Sequence, residues 1–124
     1  MELRADDPWV RRGYGQAPIE AGERPALLVV DLQYAFTDPA FPFGGAELIE
    51  RATANTARVA AASPPAGGPG FQTGVARGGG RDNGQWTIKL PPCAEITPGS
   101  RWARVDERVW DDRDTLLVKK WPSY

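Results

Sequence analysis

Ten residues, R-P-A-L-L-V-V-D-L-Q at 24–33, constrain this chain more than any other stretch. Ala26 to Val30 form an unbroken apolar run that follows Pro25 and stops at Asp31. A short apolar run between charged flanks predicts a strand buried on both faces, the central strand of a parallel sheet. In open parallel sheets the side chains that do chemistry lie just past the carboxyl ends of the strands, where the loops diverge. Asp31 is at that position. Aspartate also starts turns and caps helices, so the strand alone leaves both roles open.

With 124 residues the chain can build one modest core. A net charge of -1 provides no basic surplus to neutralise phosphates, which argues against nucleic acid or an anionic membrane as partner. No apolar run approaches the ~20 residues of a membrane span. The start M-E-L-R-A-D-D lacks the order of a secretory signal, so a cytoplasmic location is expected. Cys93 is the only cysteine, which fits a reducing compartment. Histidine is absent, which removes Ser-His and Cys-His nucleophile pairs and every histidine-containing metal site.

Along the chain, residues 1–23 read as an irregular polar arm anchored by Trp9 and Tyr14, and residues 24–124 as one domain. Between Leu32 and Gly45, prolines, glycines and the aromatics Tyr34, Phe36, Phe41 and Phe43 predict a loop folded on apolar surface beside Asp31. The spacing of Ile49, Ala52, Thr56, Val59 and Ala60 predicts a helix over 46–62, stopped at Ser63-Pro64-Pro65. A Glu47–Arg51 pair on its outer side would add about 0.2–0.5 kcal/mol. Residues 70–75, G-F-Q-T-G-V, read as a second strand weakened by two glycines. Residues 76–113 carry no convincing periodic element, and such long connections are binding loops or disordered, although Trp86, Trp102 and Trp110 imply partial order. Thr115 to Val118 repeats the first strand's pattern and ends in Lys119. Strand, helix, strand and strand in this order predict an α/β domain with right-handed crossovers.

Most of the remaining motifs favour structural readings. The glycines at 67, 68, 70 and 78–80 match neither phosphate-binding fingerprint and read as loop. Asp111, Asp112 and Asp114 lack the spacing of a calcium loop and read as a solvated turn, so no metal and no cofactor is expected. Cys93 follows Pro91-Pro92 with no histidine to activate it, and a thiol of pKa ~8.5 is mostly protonated at neutral pH. Asp31 and Lys119 remain: opposite charges, each ending an apolar strand, whose burial would be costly unless they met. That pairing is also what a purely structural ion pair would look like.

The run R-P-A-L-L-V-V-D-L-Q-x-x-F-T-D-P at 24–39, T-P-G-S at 97–100 and D-T-L-L-V-K-K-W-P-S at 114–123 resemble the isochorismatase-like cysteine hydrolases. The arm R-R-G-Y-G at 11–15 is similar to the N-carbamoylsarcosine amidohydrolase branch. The resemblance implies a three-layer α/β/α fold with a parallel sheet, of which about three strands, the N-terminal half, are present. It also implies a catalytic Asp-Lys-Cys triad in an oligomer. Asp31 corresponds to the aspartate, and Lys119 rather than Lys120 to the lysine. Phe36, and Trp86 with it, would line the substrate pocket. In such a triad the carboxylate takes the proton of a thiol whose thiolate attacks an amide carbonyl, while the ammonium holds the carboxylate in place.

Two departures stand out, Gly70 where the family's second strand carries an aliphatic residue and Gln72 where histidine is common. The absence of histidine also disfavours the nicotinamidase branch and its substrate. The family's nucleophilic cysteine lies beyond the lysine motif, on a later strand-to-helix turn that also forms the oxyanion hole. Cys93 does not match that position. The expectation is therefore a chain truncated before the nucleophile and inactive by itself, related to enzymes that cleave a C–N bond in a small amide or ureido acid. An interaction fragment that associates with a longer homologue and a non-functional remnant are the rival readings. In the family's sheet order the first strand has the second and third on one side, so here it would be left as an open, association-prone edge.

Overall fold

A computed structural model of the chain describes residues 7–15, 20, 22–63, 68–79 and 82–121. Its centre is a parallel sheet of three strands, β1 (Leu27–Val30), β2 (Gly70–Val75) and β3 (Thr115–Lys119), in the order β1-β2-β3. Val30 pairs with Thr73, and Thr73 with Leu117, so the three strands end at one edge. The predicted strand positions hold to within a residue.

The burial of β1 differs from the expectation. Val29 is 4% exposed, but Leu28 and Val30 are 58% and 55% exposed. Val29 packs with Val105, Val109 and Ala57, whereas Leu28, Val30 and Leu117 project from the other face. The reason is topological. β1 borders only β2, and among the described residues the face bearing Leu28 and Val30 lacks the covering layer that a both-sides-buried strand requires.

β2 forms despite its glycines because its neighbours use the space. A Cβ at Gly70 would collide with the Asp114 carboxylate, which instead accepts a hydrogen bond from Gln72 Nε2 at 2.7 Å. The same nitrogen donates to Val109 O at 2.9 Å. The two positions that depart from the family pattern thus make one packed arrangement with the turn before β3.

Three helices flank the sheet's carboxyl side or cover one face: α2 (Tyr34–Thr37), α3 (Glu47–Ala62) and α4 (Trp86–Lys89). α3 is the predicted helix, with Glu47 and Glu50 at its dipole-favoured first turn. Its inward face is rotated from the predicted one: Thr53 is fully buried and Ala57 packs on the core, while Ala52 and Val59 border an open groove along β1. The Glu47–Arg51 ion pair does not form. Glu50 instead binds Arg108 at 2.6 Å, because Arg108 is already held nearby by Asp106. Pro64 and Pro65, expected to end α3, lie outside the described residues, as do 1–6, 16–19 and 21 of the arm. Within the arm a short helix, α1 (Pro8–Arg11), is capped by Asp7, and Trp9 packs edge-on against Tyr14. Both rings are more than half exposed.

The long connection 76–113 is ordered by 3-10 turns at Pro91–Glu95 and Arg101–Ala103. Gln33, fully buried, ties it to the sheet. Its Nε2 donates to Val75 O at 3.0 Å and Trp102 O at 2.9 Å, and its Oε1 accepts from Val75 N at 2.6 Å. A second apolar cluster of Ala35, Phe41 and Ile96, backed by Phe43 and Trp102, packs beside it.

Candidate functional site

The carboxyl edge of the sheet carries the site. Asp31, the first residue past β1, adopts the left-handed conformation with φ +58°, at a cost that aspartate bears better than most residues. Such a departure is held in place by its surroundings. Asp31 N donates to Thr73 O at 3.1 Å, and Thr73 Oγ1 donates to Asp31 Oδ1 at 2.8 Å. The other carboxylate oxygen, Oδ2, lies 2.7 Å from Lys119 Nζ. The Lys119 side chain is 6% exposed, so the pair is largely removed from water on the lysine side. Each carboxylate oxygen therefore has a donor, and the ammonium has its counter-charge.

Lys120 takes no part in this contact. Its Nζ is 2.8 Å from Asp82 Oδ2, and that hydrogen bond holds the Asp82 carboxyl below the usual carboxylate range. The choice between the two lysines follows from strand alternation: Lys119, the last residue of β3, turns inward, and Lys120 turns outward.

Above Asp31 lies a pocket of about 380 Å³. Phe36 of α2 and Trp86 of α4, both expected there, line it together with Phe43, Leu90 and Ile96. The aromatic wall is stiffened by ring contacts, Phe36 to Phe43 at 5.8 Å and Phe43 edge-on to Phe41 at 4.8 Å. Lys89 Nζ stands 5.4 Å from the Trp86 ring centre. The pocket is thus a small, mostly apolar chamber with an ion-paired carboxylate in its wall.

Three further residues belong to this region and had no such role in the sequence reading. Thr73 orients the carboxylate. Arg77, 4% exposed, lines the pocket two residues beyond β2. Cys93 is buried in the 3-10 turn Pro91–Glu95 and lines the same pocket, although its sulfur makes no hydrogen bond to Asp31. Thr73 and Arg77 could have been found by the logic that picked out Asp31, since both lie at the carboxyl end of a strand. For Cys93 there was no signal, because the path of a non-periodic loop is not written in its local sequence.

The acids Asp111, Asp112 and Asp114 lie elsewhere. Asp111 pairs with Arg113 at 2.7 Å, Asp112 accepts from Trp110 Nε1, and Asp114 serves Gln72. Asp111 and Asp114 line a separate cavity of about 200 Å³ at the opposite, amino-terminal edge of the sheet. Among the described residues no group of three or more Cys, Asp or Glu side chains is placed to hold a metal ion, and no helix is long and apolar enough to cross a membrane.

No protein-family model matches the chain. An N-carbamoylsarcosine amidase from an Arthrobacter species is 33% identical over 108 residues, which cover 80% of this chain and 39% of that protein. Among solved structures, a cysteine hydrolase from Pseudomonas syringae superposes with a TM-score of 0.60 at 19% identity, covering 84% of this chain and 52% of its own. An N-carbamoylsarcosine amidase from Thermoplasma acidophilum superposes with a TM-score of 0.56 at 21% identity, covering 78% and 52%. The chain therefore spans about two fifths of the curated relative and about half of these structures. Over that span it has the isochorismatase-like α/β fold, and its sequence is similar to the N-carbamoylsarcosine amidase branch.

Proposed function

We propose that this chain, isochorismatase-like in fold and similar to hydrolases of that group, contributes the aspartate–lysine half of a cysteine hydrolase site acting on a C–N bond of a small amide or ureido acid. The observation that carries the reading is the Asp31–Lys119 ion pair of 2.7 Å in the wall of a small apolar pocket. A carboxylate oriented by Thr73 and neutralised by a desolvated ammonium is suited to take the proton of a thiol. The resulting thiolate attacks the amide carbonyl, the proton held by Asp31 passes to the departing nitrogen as the C–N bond breaks, and water then cleaves the thioester to give the acid and regenerate the thiol. Phe36 and Trp86 would hold the substrate's apolar part and limit water. Asp31 and Lys119 are the residues assigned to catalysis, and Phe36 and Trp86 to substrate binding.

In this reading the attacking thiol is not Cys93, whose sulfur makes no hydrogen bond to Asp31, and Asp31 and Lys119 serve a thiol brought to the same pocket. A second reading, an interaction fragment that joins a longer homologue or a second copy, is favoured by the exposed Leu28 and Val30 on the edge strand β1. The presence of Cys93 in the Asp31 pocket makes it the control on both.

The test is ammonia release from N-carbamoylsarcosine, maleamate and nicotinamide at high protein concentration, for the chain and its Cys93→Ala variant. No turnover above background is expected from either. Loss of one oxyanion donor already costs about 100- to 1,000-fold, and the one thiol in the pocket, Cys93, makes no hydrogen bond to Asp31 that would activate it. Turnover that disappears in Cys93→Ala would make Cys93 the nucleophile and overturn the proposal.

A further inference from the structure

We propose that Arg77 is the anchor for a ligand carboxylate in the Asp31 pocket, and that it selects acid-bearing amides over neutral ones. The inference rests on the amidohydrolase reading of that pocket and goes beyond it by assigning the specificity residue.

Two charged side chains line the pocket, Asp31 and Arg77. The charge of Asp31 is balanced by Lys119. Arg77, though only 4% exposed, forms no ion pair with any described carboxylate. A guanidinium stays protonated at every accessible pH, and removing it from water without a counter-charge is costly. The region consequently carries one unmatched positive charge, facing a chamber that an anion can enter.

Geometry supports the same conclusion. Arg77 N donates to Ile96 O at 2.9 Å, and Arg77 Nε donates to Lys120 O at 3.0 Å. These two bonds fix the backbone and the root of the guanidinium. The terminal nitrogens, with four N–H groups between them, have no acceptor among the described residues, and the side chain lines the pocket. A planar fork held at its base with its tips free matches the bidentate geometry of a carboxylate. The preceding residue, Ala76, donates through its backbone N–H to Lys119 O at 3.1 Å, so the anchor is tied to the strand end that carries the lysine. A ligand held by its acid group at Arg77 would lie against Phe36 and Trp86 with its amide directed to Asp31.

The test compares ligands before it compares variants. Binding to the 124-residue chain is measured by titration calorimetry for N-carbamoylsarcosine, its methyl ester, methylurea and isobutyrate. The acid should bind at least about tenfold more tightly than its ester, the factor that corresponds to roughly 1.4 kcal/mol. Arg77→Gln should erase that preference and Arg77→Lys should retain part of it, with far-UV circular dichroism confirming that both variants fold. Equal binding of acid and ester by the unaltered chain, no binding of the acid at all, or a preference that survives Arg77→Gln would each overturn the inference. The unaltered chain decides the matter even if a variant fails to fold. If methylurea binds but the acid group is irrelevant, the amidohydrolase reading survives and the Arg77 assignment falls. If isobutyrate binds as tightly as N-carbamoylsarcosine and depends on Arg77, the anchor stands and the amidohydrolase reading falls.

Discussion

Asp31 and Lys119 meet across the width of the sheet, with β2 lying between the strands that carry them. Two inter-strand spacings separate those strands by roughly 10 Å, so the contact uses the reach of the lysine side chain over the end of β2. Thr73, on the strand in between, holds the second carboxylate oxygen. The pair is therefore a clasp on all three strands as well as the candidate catalytic dyad.

A stability prediction follows from that clasp and from the backbone beneath it. Asp31→Ala should cost about 1–3 kcal/mol, because it removes the carboxylate that both Lys119 Nζ and Thr73 Oγ1 bind. Asp31→Gly loses the same ion pair but accepts φ +58° without strain, so it should be about 1 kcal/mol more stable than Asp31→Ala. Urea unfolding of the two variants side by side measures the difference. Equal stabilities would show that the left-handed backbone is not strained.

Gln33 offers a second test, of the link between loop and sheet. Replacing it with leucine conserves bulk but leaves Val75 N, Val75 O and Trp102 O without their buried partner. A loss of about 2–4 kcal/mol is expected, together with faster hydrogen exchange at the Val75 amide. Unchanged protection of that amide would mean that the connection 76–113 is held by its apolar cluster alone.

The acid limb of stability should be set by depressed carboxylates. Burial alone would raise the Asp106 carboxyl, but hydrogen bonds from the Arg108 side chain and backbone outweigh it and hold the group below its ordinary value of 3.8. Asp38, bonded by Arg101 and the Ala40 amide, is lowered as well. A folded-state pKa below the unfolded one gives stability that is present above the unfolded value and is lost as pH falls through the folded one. Melting temperature should therefore drop below about pH 4, and Asp106→Asn should flatten that drop while lowering stability at neutral pH. A wild-type slope that Asp106→Asn leaves untouched would reject this assignment.

The open edge of β1 predicts association of the 124-residue chain. Leu28 and Val30 are exposed on a short strand whose outer hydrogen-bonding groups have no neighbouring strand among the described residues, the arrangement that invites pairing with another chain. Sedimentation should show mass rising with concentration, and Leu28→Lys with Val30→Lys should move that rise to higher concentration. A dilute, demonstrably monomeric sample that unfolds cooperatively and stays monomeric on concentration would contradict it.

What the sequence determined by itself were the features that depend on local pattern and on the geometry of parallel sheets. Apolar runs bounded by Pro25 and Asp31, and by Asp114 and Lys119, mark the strands, because a continuous apolar stretch of that length has few other stable uses. Parallel strands joined by crossovers end at one edge, which brings Asp31 and Lys119 together without any knowledge of the loops between them. Tertiary structure decided what covers each face and where the loops run. The periodicity of α3 showed that a face would be buried, yet the face chosen was the one centred on Thr53 and Ala57, set by the neighbours Val29, Val105 and Val109. Glu50 went to Arg108 and not into an intrahelical ladder, because Asp106 had already placed that guanidinium. Arg77 and Cys93 entered the Asp31 pocket because Gln33 and the aromatic cluster fold residues 76–113 back over the strand ends, and contacts between residues so distant in the chain leave no periodic trace in the sequence.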